Sequence, residues 1–284
     1  MPDNNIFDNS VEIAWCPGCG NFSIHKALKE ALTELSLKPQ EIVLVSGIGQ
    51  AAKHPHYINA NVLNGLHGRA LPAAAGVKIA NHALKVIVTS GDGDLYGEGG
   101  NHFIHNIRRN IDITVIAHDN QVYGLTKGQA SPTSELGFKS KVQVDGQIST
   151  PINQLGLAVT LGANFVARSF SGDHDHLKEM MKTAISKKGF SLLDVLQPCV
   201  SLNKVNTFKW YKERVYHIGS DHDPSDRLKA FEKSLEWGEK IPLGVIYEGN
   251  RPTFCEQQSA IKESPLVGRG VDFKKLKGVI NGYT

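Results

Sequence analysis

Apolar residues fall along this chain in two rhythms. Between Asn21 and Leu35 they recur at helical spacing, with Ile24, Leu28, Ala31, Leu32 and Leu35 on one stripe, which predicts an amphipathic helix. Elsewhere they form short solid runs: Ile42-Val43-Leu44-Val45, Val86-Ile87-Val88-Thr89, Ile113-Thr114-Val115-Ile116-Ala117, Phe165-Val166-Ala167 and Phe190–Leu196. Such runs suit strands covered on both faces, as in a parallel sheet. Helix-compatible stretches separate them, at 70–83, at about 98–109, at Asn153–Leu161 and at Asp173–Lys187. The alternation predicts an α/β protein with a doubly wound, mostly parallel sheet. The polar stretch Lys127–Ser149 has no period and reads as a loop. After Cys199 the pattern weakens to a charged helix near Asp226–Trp237 and an apolar run over 242–247. This divides the chain into an α/β domain over 1–200 and a C-terminal extension over 201–284, expected across the sheet's ligand edge or against a partner.

Composition narrows the class of protein. With 284 residues, 40% hydrophobic and 21% charged, the chain is long enough for one large α/β domain or two small ones. A net charge of +3 without a long basic run gives no reason to expect nucleic acid. No apolar stretch approaches the roughly 20 residues a membrane span needs. The polar start, Met1-Pro2-Asp3-Asn4-Asn5, lacks a signal-peptide core, so a cytoplasmic location is expected. There, paired cysteines point to metal or redox chemistry before disulfides.

The chemistry concentrates where two solid runs end. Gly91-Asp92-Gly93-Asp94 follows the second run and Asp119-Asn120-Gln121-Val122-Tyr123-Gly124-Leu125 follows the third. Open α/β sheets bind ligands at the carboxyl ends of their strands. Asp92 offers a carboxylate, Asn120 a side-chain carbonyl and Val122 a backbone carbonyl, the hard oxygen set that Mg²⁺ takes alongside substrate phosphates. Gly91 and Gly93 let the backbone approach those phosphates. An ordinary strand–helix turn with a capping Asp-Asn is the alternative. A second centre is Trp15-Cys16-Pro17-Gly18-Cys19-Gly20, a tight CxxC knuckle, with Cys199 following Pro198 at another strand end. Two thiolates at that spacing can grip a soft metal or one edge of an iron–sulfur cluster; a redox dithiol remains open. His54 and His56 flank Pro55 near Lys53 and could line a substrate mouth, though a solvated loop is the simpler reading. Asp173-His174-Asp175-His176 has metal-like spacing, but a helix start spreads these side chains around its axis, so capping by Asp173 is preferred.

The segments WCPGCG, SGIG, LHGRALP, GDGD, DNQVYGLTKGQ and QPC, in this order and spacing, resemble the β subunits of 2-oxoacid:ferredoxin oxidoreductases over about residues 12–250. The resemblance implies a thiamine diphosphate fold holding the diphosphate half of the cofactor site. It implies Mg²⁺ on Asp92, Asn120 and the Val122 carbonyl. Ile48, Gly49, Gln50, His67, Gly91, Gly93, Asp94, Gly124 and Leu125 would surround the diphosphate and thiazolium. Lys53 would meet the substrate carboxylate, and His67 a phosphate or the reacting group. Cys16, Cys19 and Cys199 would be ligands of a [4Fe–4S] cluster. The implied reaction is CoA-dependent oxidative decarboxylation of a 2-oxoacid, 2-oxoglutarate favoured, with electrons passed to ferredoxin. An α subunit would supply the glutamate that activates the cofactor. The alternative is a non-redox thiamine diphosphate subunit. The chain departs from the family at Gln50, which stands where a third cluster cysteine is usual. Cys255 could then complete the cluster; or the fourth iron could bind Gln50, water or nothing; or the cluster could be absent, leaving zinc or free thiols.

Overall fold

The computed structural model describes residues 6–283. Its first helix, α1 (Asn21–Glu34), buries the stripe Ile24, Ala27, Leu28, Ala31 and Leu32. The elements that follow are β1 (Ile42–Ser46), β2 (Asn61–Asn64), α2 (Ala70–Ala80), β3 (Lys85–Gly91), α3 (Gly100–Arg109) and β4 (Thr114–Asp119). Next come α4 (Gln154–Thr160), β5 (Phe165–Phe170), α5 (His174–Ser186), β6 (Ser191–Leu196), α6 (Phe208–Lys212) and β7 (Val215–His217). The chain closes with α7 (Arg227–Ser234), β8 (Ile241–Glu248), α8 (Phe254–Gln257) and α9 (Phe273–Asn281). One eight-stranded sheet runs in the order β2-β1-β3-β4-β6-β5-β8-β7. Its first six strands are mutually parallel; β8 pairs antiparallel with β5, and β7 pairs parallel with β8.

The solid apolar runs split by pleat. Val43, Val45, Val86, Val88, Val115 and Val166 face one core, shared with α2, α3 and α4. Ile42, Leu44, Ile87, Ile116, Phe165 and Ala167 face the other, built with α1 and α5. Every strand from β1 to β6, apart from β2, therefore needs apolar side chains at successive positions. The parallel registers bring the carboxyl ends of β1, β3, β4 and β6 to one edge of the sheet.

Three elements differ from the sequence reading. The short strand β2 is exposed, and its two apolar residues, Val62 and Leu63, between asparagines are too few to signal a strand. A π-helical turn, Gly93–Glu98, precedes α3, which begins at Gly100. Residues 201–284 do not all lie apart from the sheet: β8 and β7 extend it past β5, and α7 packs on the α4 face. The reason is the exposed flank that β5 would otherwise present, an edge that must be paired or covered. Among the described residues no helix is long and apolar enough to cross a membrane.

Candidate active site

β3 delivers Asp92 to the carboxyl edge, where it is 1% exposed. Its Oδ2 accepts hydrogen bonds from Ser131 Oγ at 2.5 Å and Thr133 Oγ1 at 2.6 Å. Thr133 Oγ1 also reaches Asp119 Oδ1 at 2.9 Å, and Gln154 Nε2 bridges Asp119 Oδ2 and Asp194 Oδ1 at 3.0 and 3.1 Å. Arg168 Nε bonds Asp194 Oδ2 at 3.1 Å. Burial pushes the Asp92 carboxyl up to about 6, against the pull of the two hydroxyls. Asp119 is raised well above the carboxylate range by burial and then by the charges of Asp194 and Asp92. Burial and mutual repulsion thus push Asp92 and Asp119 toward the protonated form, and a divalent cation beside Asp92 would favour its carboxylate. Ser131 and Thr133 lie in the stretch read as a featureless loop; the only trace in the sequence is that small hydroxyl residues cluster there without period.

The turn after β4 aims the remaining oxygen donors. Gln121 sits in the left-handed region at φ 56°, and Val122 N donates to Asn120 Oδ1 at 3.2 Å. Asn120 Nδ2 donates to Gln197 Oε1 at 3.3 Å, tying this turn to the end of β6. Gly93 has to lack a side chain: a Cβ there would stand 2.2 Å from Tyr123 Cε1. Asp94 behaves differently from its neighbour. Its Oδ1 accepts from Gly68 N at 2.8 Å and its Oδ2 from Ser90 Oγ at 2.7 Å, so it binds the LHGRALP turn to the GDGD turn.

These turns enclose a cavity of about 250 Å³. Ile48, Gly49 and Gln50 line it from the β1 turn, and His67 from the turn before α2. Gly91, Asp92, Gly93 and Asp94 line it from β3, and Asn120, Val122, Gly124 and Leu125 from β4. Glu98, Tyr123, Thr126 and Gln129 complete the wall. Every residue expected around the diphosphate and thiazolium thus lines one cavity. Lys53 does not line it; it lies half-buried on the 3-10 turn Ala51–Tyr57.

The knuckle lies beside this cavity. Cys19 N donates to Cys16 O at 3.0 Å, and Gly18 takes φ 79° to close the turn. Gln197 Nε2 donates to Cys19 Sγ at 3.3 Å, and a Cβ on Gly18 would meet Val200 Cγ1 at 3.8 Å, so the knuckle packs on the turn that carries Cys199. Burial raises the Cys19 thiol, with smaller upward contributions from Cys199 and Cys16. Zinc would draw thiolates bound at about 2.3 Å to within about 3.8 Å of one another. Cys16, Cys19 and Cys199 do not bring all three sulfurs within 4.8 Å. Trp15 anchors the segment: its ring packs against Phe22, His25, His54 and Tyr57, and its Nε1 donates to Gln50 O at 2.9 Å.

The fold also places three other candidates. Cys255 is not beside the knuckle. It sits on α8, with its Sγ 4.0 Å from Lys78 O, where Phe254 N reaches Asn110 O before the amino end of β4. That is the opposite edge of the sheet, so Cys255 cannot complete a cluster with Cys16. His54 is no mouth residue. It is fully buried among Trp15, His25 and His118, while His56 is exposed. Asp173 does cap α5, accepting from His176 N at 3.4 Å, but the fold adds His217, whose Nε2 lies 2.8 Å from Asp173 Oδ2. The His176 and His217 rings stack with 14° between planes, so a single ion cannot lie in the plane of both as placed.

The fold and its diphosphate edge define a thiamine diphosphate enzyme: the family "Thiamine pyrophosphate enzyme, C-terminal TPP binding domain" matches residues 45–195. A second family, the C-terminal part of the pyruvate ferredoxin oxidoreductase beta subunit, matches residues 199–263. More narrowly, the chain belongs to the β subunits of 2-oxoacid:ferredoxin oxidoreductases. It is 48% identical over 261 residues to the 2-oxoacid:ferredoxin oxidoreductase subunit beta of Saccharolobus solfataricus, covering 87% of this chain and 85% of that protein. It is 36% identical over 251 residues to the 2-oxoglutarate synthase subunit KorB of Methanocaldococcus jannaschii, covering 86% and 90%. A solved structure of 2-oxoglutarate:ferredoxin oxidoreductase from Magnetococcus marinus, with 2-oxoglutarate, coenzyme A and succinyl-CoA bound, superposes with a TM-score of 0.91 at 34% identity, covering 99% of this chain and 96% of that one.

Proposed function

We propose that this chain forms, with an α subunit, an enzyme that oxidatively decarboxylates 2-oxoglutarate to an acyl-CoA and passes the electrons to ferredoxin. The observation that carries this reading is the adjacency of two donor sets. A hard oxygen set, Asp92, Asn120 and the Val122 carbonyl, opens into the same cavity edge that Gln50 shares with the thiol-bearing turns. The oxygen set fits Mg²⁺ holding a diphosphate, and the knuckle's Cys16 and Cys19, packed on the turn that carries Cys199, supply thiolates of the kind that hold an iron–sulfur cluster. The named relatives and the bound 2-oxoglutarate and coenzyme A of the Magnetococcus enzyme support the choice of substrate and acyl acceptor.

Thiamine diphosphate, when bound, supplies the nucleophile and electron sink for decarboxylation. The chain's own residues orient and screen. Asp92 and Asn120 would fix the metal end of the cofactor, while Ile48, Gly49, Gly124 and Leu125 form the wall beyond it. Exposed His67 stands at the rim, where it can donate to a phosphate or to substrate oxygen. Lys53, on the turn just beyond Gln50, would pair with the substrate carboxylate once the α subunit seals the site. In this reading the glutamate that activates the cofactor comes from the α subunit, as the resemblance to the family implies.

The test is viologen reduction by the chain alone and by the chain co-expressed with its α subunit. The complex should turn over 2-oxoglutarate with CoA dependence, and the isolated chain should be inactive. Robust turnover by the isolated chain would refute the half-site reading. Equal rates with pyruvate would refute the substrate assignment. Decarboxylation without CoA or viologen reduction would favour a non-redox enzyme.

A further inference from the structure

Gln50 belongs to both halves of the site. Its backbone carbonyl accepts the indole N–H of Trp15, the residue before Cys16, at 2.9 Å. Its side chain lies over the turn after β4: a Cβ placed on Gly124 would find Gln50 Cγ at 4.0 Å and, from the segment that follows Cys199, Leu202 Cδ1 at 3.9 Å. Gln50 also lines the cofactor cavity. Its amide does no structural work that would explain it. Gln50 stands at the start of the turn Ala51–Tyr57 but does not cap it with its side chain. Its Oε1 is buried without a hydrogen-bond partner. A buried carbonyl without a partner is costly, and native proteins keep such a group where a ligand, ion or water pairs with it.

The three thiols nearby, on Cys16, Cys19 and Cys199, are free cysteines. Three thiolates leave one iron of a four-iron cluster without a sulfur ligand from the protein. The orphaned oxygen belongs to the residue whose backbone carbonyl holds Trp15, the neighbour of Cys16. Resting on the cluster reading above, we propose that Gln50 Oε1 ligates the fourth iron, so that one iron is exchangeable while the three thiolate-bound irons are not. Two consequences follow from ligand chemistry. A neutral amide oxygen is a weaker iron ligand than a thiolate, so this iron leaves first. A cluster with three thiolates carries one negative charge fewer than a four-thiolate cluster, which raises its reduction potential. The residue that also lines the cofactor cavity then sets how readily the cluster accepts an electron.

The experiment uses the anaerobically purified complex with its α subunit, as wild type and as Gln50→Cys, Gln50→Glu and Gln50→Ala. Iron and sulfide are counted, and the samples are treated with limited ferricyanide. Loss of Fe²⁺ and one electron from a diamagnetic four-iron cluster leaves a paramagnetic three-iron cluster, read by EPR. ⁵⁷Fe²⁺ and dithionite are then added back and followed by Mössbauer spectroscopy. Wild type should yield the three-iron signal and take ⁵⁷Fe into one site. Gln50→Cys should keep four irons under the same treatment and show a more negative potential. Gln50→Glu should retain the fourth iron at least as well as wild type, and Gln50→Ala should lose it at least about tenfold faster. Wild type resisting ferricyanide as well as Gln50→Cys, or Gln50→Ala losing iron at the wild-type rate, overturns the assignment of Gln50 while leaving the cluster in place. Zinc, or no iron in any variant, overturns the cluster reading itself.

Discussion

At the scale of the residue, the site is a problem of holding carboxylates where they do not want to be charged. Asp92 and Asp119 are both buried, and both titrate above their ordinary range because burial penalises the anion. Thr133 is the small group that joins them, donating to Asp92 Oδ2 at 2.6 Å and lying 2.9 Å from Asp119 Oδ1. Replacing it with valine keeps the shape and removes the hydroxyl. Thr133→Val should cost about 1–3 kcal/mol of stability and weaken the Mg²⁺-dependent thermal protection given by thiamine diphosphate. Differential scanning fluorimetry with and without cofactor checks both; unchanged protection would show that the hydroxyl does not support the metal ligand. Nothing in the local pattern of residues 127–149 marks Thr133 for this task. Its role comes from two strands that end beside it.

At the scale of the element, the lead-in segment is held by an aromatic box. Trp15 closes over His25, His54 and Tyr57, and His118 from β4 lies against His54. Burial lowers His25 to about 4 and His118 to about 3, and lowers His54 well below its usual value, helped by the neighbouring imidazoles. The unfolded chain binds protons at these histidines near pH 6.5, and the folded chain does not. Their contribution is therefore intact above about pH 6.5 and is lost as pH falls toward 4, at up to about 1.4 kcal/mol per pH unit for each histidine. Asp92 and Asp119 act in the opposite sense over part of that range, so a difference measurement isolates the histidines. His54→Phe keeps the ring packing and should flatten the loss of stability between about pH 6.5 and 4, measured by urea unfolding; parallel wild-type and variant profiles would contradict this. The proximity of three histidines from α1, β4 and the 51–57 turn is a product of the sheet, because they are distant in sequence.

At the scale of the whole molecule, the sheet is continuous from β2 to β7 and ignores the change of pattern near residue 200. β8 pairs along β5 and contributes Ile246 to the core that holds Val166, while Ile241 and Leu243 pack with Phe170 and Tyr211. A chain ending at residue 200 would lose the partner of β5 and uncover these side chains. Truncation there should give an aggregating product, whereas ending at residue 263 should leave a folded protein, since α9 is exposed and, of the segment before it, only Pro265 is partly buried. Size-exclusion chromatography and circular dichroism decide it; a soluble, folded 1–200 fragment would show that β8 is dispensable.

Much of this was written locally. Solid apolar runs specify two-sided strands wherever they occur, the α1 stripe specifies an amphipathic helix, and glycine–aspartate turns at strand ends place oxygen donors on the ligand edge. These follow from periodicity and residue chemistry, which act over a few residues. What the chain's order could not specify is which distant turns meet. Only the parallel register sets Asp92 beside Thr133, packs the CxxC knuckle on the Cys199 turn, sends Cys255 to the far edge and seals His54 in an aromatic box. Contacts between segments far apart in sequence depend on the path of the whole sheet, and no local pattern encodes that path.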